Sequence, residues 1–199
     1  MNTDILIRIT CLVIILGTIL LGLYTNLLKD TSTAAKRPYS FSRVQFAWWT
    51  VIIFCCYIYI LLNHLDKVQT GMPEILSNTA LALLGISSAT VAGGKLIDTT
   101  HKNNTPLSTL HQDFEGKGFF VDILSDEGGI SIHRFQSFIF NVIFGGIFVY
   151  KVMYNKNNPV ILMPDFSVNE LALLGLSSGT YLALKGQENP GKKEDGIQG

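Results

Sequence analysis

The sequence predicts an all-α integral membrane protein of five transmembrane helices, an N-terminal anchor followed by two parallel two-helix repeats. Three observations carry that expectation. Of 199 residues, 48% are hydrophobic and only 15% charged, with a mean hydropathy of +0.33, which is too apolar, in runs too unbroken, for an ordinary soluble domain. Residues 81 to 90, LALLGISSAT, return as residues 171 to 180, LALLGLSSGT, with eight of ten positions identical. Most of the basic residues fall on one side of the apolar runs. An internal repeat outranks other signals in a short chain.

The repeat extends past its core. Arg43-Val44-Gln45 returns as Arg134-Phe135-Gln136, Pro73 as Pro164 and Lys95 as Lys185. The chain therefore divides into residues 1–38, an anchor and basic linker; 39–98, the first repeat; 99–129, a cytoplasmic segment; 130–189, the second repeat; and 190–199, a polar, flexible tail.

Residues 5–28 form one apolar run with a single charge, Arg8. At ~1.5 Å per residue it is long enough for a ~30 Å hydrocarbon core. Ser32-Thr33-Ala34 would suit signal cleavage, but the run is long for a signal core and Asp4 stands where a basic cluster belongs, so a retained anchor is favoured. Lys29, Lys36, Arg37 and Arg43 make a basic linker. The second span, 44–63, carries Trp48 and Trp49 where an interfacial aromatic belt would sit. The third runs from Pro73 to Lys95, with Pro73 and Glu74 suited to a helix start and Lys95 to its end. The second repeat places spans at 135–154 and 164–185, and the last is short enough to tilt or re-enter.

With the 29–43 linker in the cytoplasm, eleven basic residues lie inside and four outside. The positive-inside rule then puts the N-terminus outside and the C-terminus in the cytoplasm of a bacterial inner membrane. Two spans per repeat give both copies the same orientation, related by an axis along the membrane normal. In the cytoplasmic segment a loop-like DTTHKNNTP leads to Phe114, Phe119, Phe120, Ile123 and Leu124 among acids, which suits a short helix in the headgroup region or docked on the bundle.

Candidate site residues follow from the repeat. Gly85, Ala89 and Gly93, and likewise Gly175, Gly179 and Ala183, give each repeated helix a small-residue stripe that lets helices pack closely. Ser87, Ser88 and Thr90, with Ser177, Ser178 and Thr180, either join that packing, which is favoured, or line a narrow polar path. Arg43 and Arg134 are interfacial anchors in the favoured reading, or else a gate or lipid-headgroup site, with Gln45 and Gln136 one turn deeper.

Other chemistry is thin. Cys11, Cys55 and Cys56 lie in apolar runs and suggest neither a disulfide nor a metal site. His101, His111, Asp113 and Glu115 lack metal-ligand spacing, and Asp122, Asp126 and Glu127 before Gly128-Gly129 read as a solvated turn rather than a cation site. No ionisable residue sits near the middle of a span, which argues against a proton relay, voltage sensor or ion-coupled transporter. With no P-loop, nucleophile elbow or HExxH, no catalytic residue, metal or cofactor is expected and the chain reads as a non-enzyme.

DILSDEGGISIHRFQSFIF and MPDFSVNELALLGLSSGTYLALKG resemble a bacterial family of small integral membrane proteins and membrane-anchoring modules. The family pattern is an Arg-x-Gln span start followed by MP-x-x-S and LALxGxSSGTY. The likeness is close over residues 120–186 and looser over 39–98, where Ala89 and Val91 replace the motif's glycine and tyrosine. It brings no biochemical activity with it. In general appearance, though not in motif, the chain is similar to membrane-disrupting effectors of bacterial anti-phage systems, including retron-type abortive infection. The expectation is an oligomeric membrane-permeabilising effector, the alternatives a membrane anchor or structural subunit, or a small channel. Expected partners are the lipid bilayer, further copies of the chain and a cytoplasmic protein held through 98–133, with no direct nucleic-acid binding.

Overall fold

The computed structural model describes residues 3–32, 34–64, 75–104, 115–126, 129–154 and 163–187. Expectations resting on Asp66, Gly71, Pro73, Glu74, His111, Asp113, Phe114, Glu127, Gly128 and the tail lie outside those residues. The regular elements of the described chain are helices except for one small hairpin. Its elements are α1 (Thr3–Tyr24), α2 (Phe41–Asn63), α3 (Asn78–Asn104), α4 (Phe119–Leu124), β1 (Ser125–Asp126), β2 (Gly129–Ile130), α5 (Ile132–Tyr154) and α6 (Val168–Lys185). Among the described residues, four segments are long and apolar enough to cross a membrane: Ile5–Tyr24, Phe41–Asn63, Asn78–His101 and Ile132–Tyr154. The protein is therefore built for embedding in a bilayer. At 18 residues, α6 spans ~27 Å at ~1.5 Å per residue, just under the ~30 Å core.

α2 packs on α3 and α5, and α6 closes the ring by packing on both of those helices, with α1 laid outside against α2. Gly145 lets α5 approach α2: a Cβ there would come within 2.8 Å of Ile52 Cδ1 and Trp48 Nε1. The core these helices enclose is a dry cluster around Trp49, Ile53, Leu83, Phe148 and Leu174. α1, by contrast, keeps most of its apolar surface outward, Ile7 and Gly22 being its buried residues.

Two ends bracket this core. At one, the segments before α3 and α6 are stitched together: Met163 N donates to Ile75 O (2.9 Å), Ser77 Oγ to Pro164 O (3.2 Å) and Phe166 N to Thr79 Oγ1 (2.8 Å). A capping box between Ser167 and Glu170 opens α6, which fits the Ser-x-x-Glu spacing. At the other end, the 29–39 linker folds into a turn, with Asp30 N bonded to Pro38 O and Ser40 N to Leu28 O. α4 docks on the same end through Ile123, packed with Phe41 and Tyr181.

Several element expectations need correcting. The third and fifth spans, expected from Pro73 and Pro164, begin as helix at Asn78 and Val168. The DTTHKNN stretch expected as loop is the last part of α3, which runs to Asn104. Thr99 and Thr100 turn their hydroxyls onto the carbonyls of Lys95 and Leu96, and Asp98 finds a partner inside the fold, so the helix loses nothing by continuing. Trp49 does not sit in an interfacial belt. It is 1% exposed because Asn141 of α5 supplies an acceptor for its indole N–H.

Candidate functional site

The distinctive feature of the bundle is a polar seam that starts at the linker end and stops at the dry core. Gln45 of α2 donates from Nε2 to Ser178 Oγ of α6 at 3.0 Å. Ser137 of α5 donates to the carbonyl of Ser177 at 3.2 Å, and the two hydroxyls are also hydrogen-bonded. One turn on, Asn141 donates to Ser137 O (2.7 Å) and accepts from Trp49 Nε1 at its side chain (2.7 Å) and Trp48 Nε1 at its carbonyl (3.0 Å). Beyond Trp49 the interior is hydrocarbon, closed by Ile53, Leu83, Phe148 and Leu174. Nothing in this arrangement forms a polar path through a single chain.

The expected lining residues divide accordingly. Ser87 and Thr90 are buried, but their hydroxyls bond back to Leu83 O and Ile86 O of their own helix. Ser88 is exposed and bonds to Gly85 O. Ser177 and Ser178 bind neighbouring helices, while Thr180 is exposed. Of these six residues, Ser177 and Ser178 act as joints between helices, while Ser87, Ser88 and Thr90 are spent on their own helix.

The small-residue stripes divide as well. Gly93 meets α6, where a Cβ would lie 2.9 Å from Leu182 Cδ1. A Cβ on Gly85, Gly175 or Gly179 would meet nothing within 4 Å, and Ala89 and Ala183 are exposed. Most of both stripes therefore faces away from the bundle.

Repeat-equivalent residues occupy different environments. Arg43 lies at the surface, bonding Asn26 O and Thr31 Oγ1. Its counterpart Arg134 is buried over the Tyr181 ring, 5.4 Å from the centroid. Gln45 is buried, whereas Gln136 is exposed. Lys95 is exposed, whereas Lys185 is 5% exposed and reaches Asp98 at 3.0 Å and Asp30 at 3.4 Å. Burial pushes the Asp30 carboxyl up, but the Lys185 ammonium, the Thr31 N–H, a hydrogen bond with Asp98 and the Arg43 charge outweigh it and hold the group below its ordinary value. Asp98 Oδ1 and Gln45 Oε1 are buried acceptors with no donor among the described residues.

Sequence reasoning missed the Lys185–Asp98–Asp30 cluster and the Asn141–tryptophan joint. Asn141 alone left a signal, a polar residue inside an apolar run. Among the acids of the last segment, the half-buried Asp122 accepts from the backbone N–H groups of Tyr39, Lys117 and Gly118. His101 turns to Gly186 O, and no trio of His, Cys, Asp or Glu among the described residues is set to hold a metal.

No family model, no characterised protein and no solved structure matches this chain.

Proposed function

We propose that the chain is a non-enzymatic, five-span protein of the bacterial inner membrane that self-associates through the outward faces of α3 and α6 and permeabilises the bilayer as an anti-phage effector. The fifth span is α6, the linker end faces the cytoplasm, and α2–α3 and α5–α6 are two parallel copies of one unit. One observation carries the reading: Gly85, Gly175 and Gly179 present open Cβ positions away from the bundle, although these glycines belong to the repeated motif. In lipid, where apolar burial does not drive association, small residues are what allow helices to meet closely. Leu176, 70% exposed, is a knob beside that groove. Because the core of one chain is dry, a permeation path has to form between chains.

Inducible expression in a bacterial host, with membrane potential and propidium uptake followed over time, tests this. Wild type should depolarise the cells, and Gly175→Leu with Gly179→Leu should not. An added Cβ at either position meets nothing within 4 Å in the chain itself, and equal helical content by circular dichroism checks that both proteins fold alike. A second reading, an anchor for a cytoplasmic partner, draws on the exposed Phe120, Ile130 and Ile132 of the linker-end cap, at 62%, 74% and 68%. Intact cells at high expression of wild type would sink the effector reading and leave this one.

A further inference from the structure

We infer that the groove between α1 and α2 is a site for one anionic phospholipid, its acyl chain between the helices and its phosphate on Arg43. A groove of about 330 Å³ runs along α2 from Arg43 to Val51. Eight residues of helix cover ~12 Å at ~1.5 Å per residue, close to half of a ~30 Å hydrocarbon core. Its length therefore matches one leaflet. Leu27 and Leu28 contribute from the segment after α1, Phe46 and Ala47 from α2, and Val91 from α3. Thr18 and Thr50 also line it, yet each hydroxyl is spent on its own helix, at Ile14 O (2.9 Å) and Phe46 O (2.7 Å). The wall is apolar in effect although two of its residues are polar.

One mouth of this groove carries the only charge in its lining among the described residues, Arg43. A guanidinium has five N–H donors in a fork that matches phosphate geometry. Arg43 uses one toward Asn26 O (3.4 Å) and one toward Thr31 Oγ1 (3.1 Å), leaving the remainder for an anion. Asp30 feels the Arg43 charge but is itself held by Lys185 at 3.4 Å. Apolar length inward and a basic fork at the interface fit a phospholipid, since a free phosphate would leave the groove empty and a neutral acyl chain would leave the fork unused. The site rests on the membrane reading but not on permeabilisation.

The test is lipid retention by the purified full chain, incorporated into nanodiscs of phosphatidylcholine with a minor fraction of phosphatidylglycerol, extracted into mild detergent and measured by native mass spectrometry. Wild type should keep about one phosphatidylglycerol per chain in preference to phosphatidylcholine. Arg43→Gln should lower that retention about tenfold, the size of one lost charge-assisted contact set, and Ala47→Leu, which fills the groove, should lower retention of both lipids. Lys36→Gln with Arg37→Gln removes two exposed charges elsewhere on the linker and should change nothing. Equal retention of the two lipids by wild type, or equal losses in the linker variant and Arg43→Gln, would overturn the site. Circular dichroism in pure phosphatidylcholine separates lipid loss from misfolding, because Arg43→Gln should keep the wild-type helical content there even though it loses its bonds to Asn26 O and Thr31 Oγ1. A chain that retains phosphatidylglycerol without leaking sinks the effector reading alone, and one that leaks without lipid preference sinks this site alone.

Discussion

At the scale of single residues, the deciding contrast is between Lys95 and Lys185. They are the same position of the repeat, yet one is exposed and the other closes an ion cluster with Asp30 and Asp98. Removing one partner of a buried pair leaves uncompensated charge and costs about 3–5 kcal/mol. Lys185→Met should therefore lower the unfolding free energy in detergent by an amount near that range and the midpoint with it, while Lys95→Met should move neither. A midpoint equal for the two variants would show the cluster to be energetically idle. Asp30 adds a pH signature. Its folded value is held below the ordinary 3.8, so its contribution is present at neutral pH and is lost as pH falls through the folded value. The stability gap between wild type and Asp30→Asn should be present at neutral pH and should have closed once the pH has fallen below the folded value of Asp30. A gap that widens on acidification would contradict the sign.

Helix ends and helix contacts decide the next scale. Gly145 lies where α5 meets α2, and any side chain there must displace Ile52 or Trp48. Overpacking of this kind costs about 1–3 kcal/mol, so Gly145→Val should destabilise the fold in that range. It should also change the intrinsic fluorescence, which comes from only two tryptophans, both bonded to Asn141 of the same helix. Unchanged emission would mean that α2 and α5 are not held together at this joint. Apolar runs made α1, α2 and α5 legible in the sequence, with boundaries shifted by a few residues. The extension of α3 through Asp98 to Asn104 was not legible. Aspartate and paired threonines are poor helix formers by intrinsic preference, and only the fold reveals that Lys185 waits for Asp98. The repeat likewise showed which residues correspond but not which are covered. α4 and the linker pack at one end of the bundle and α1 on one of its sides, so Gln45 is buried where Gln136 is not, and Arg134 where Arg43 is not.

For the whole molecule, the question is whether one chain or several breach a membrane. The polar seam ends at Asn141 and Trp49, and the helices beyond it interlock through Ile53, Leu83, Phe148 and Leu174. Moving a charged or hydrated species through that plug would demand opening a core as dense as any protein interior, so a lone chain should be tight. Assembly through Gly85, Gly175 and Gly179 leaves the plug intact and places the pathway between copies. Dye release from liposomes should then rise more steeply than in proportion to the protein-to-lipid ratio, because the conducting species is a multimer whose population grows as a power of chain density. In Gly175→Leu with Gly179→Leu the steep part of that curve should vanish at every density tested. Release strictly proportional to wild-type density would mean that single chains leak, and the path would then have to be sought along the seam from Lys185 to Asn141, with the apolar plug as its gate.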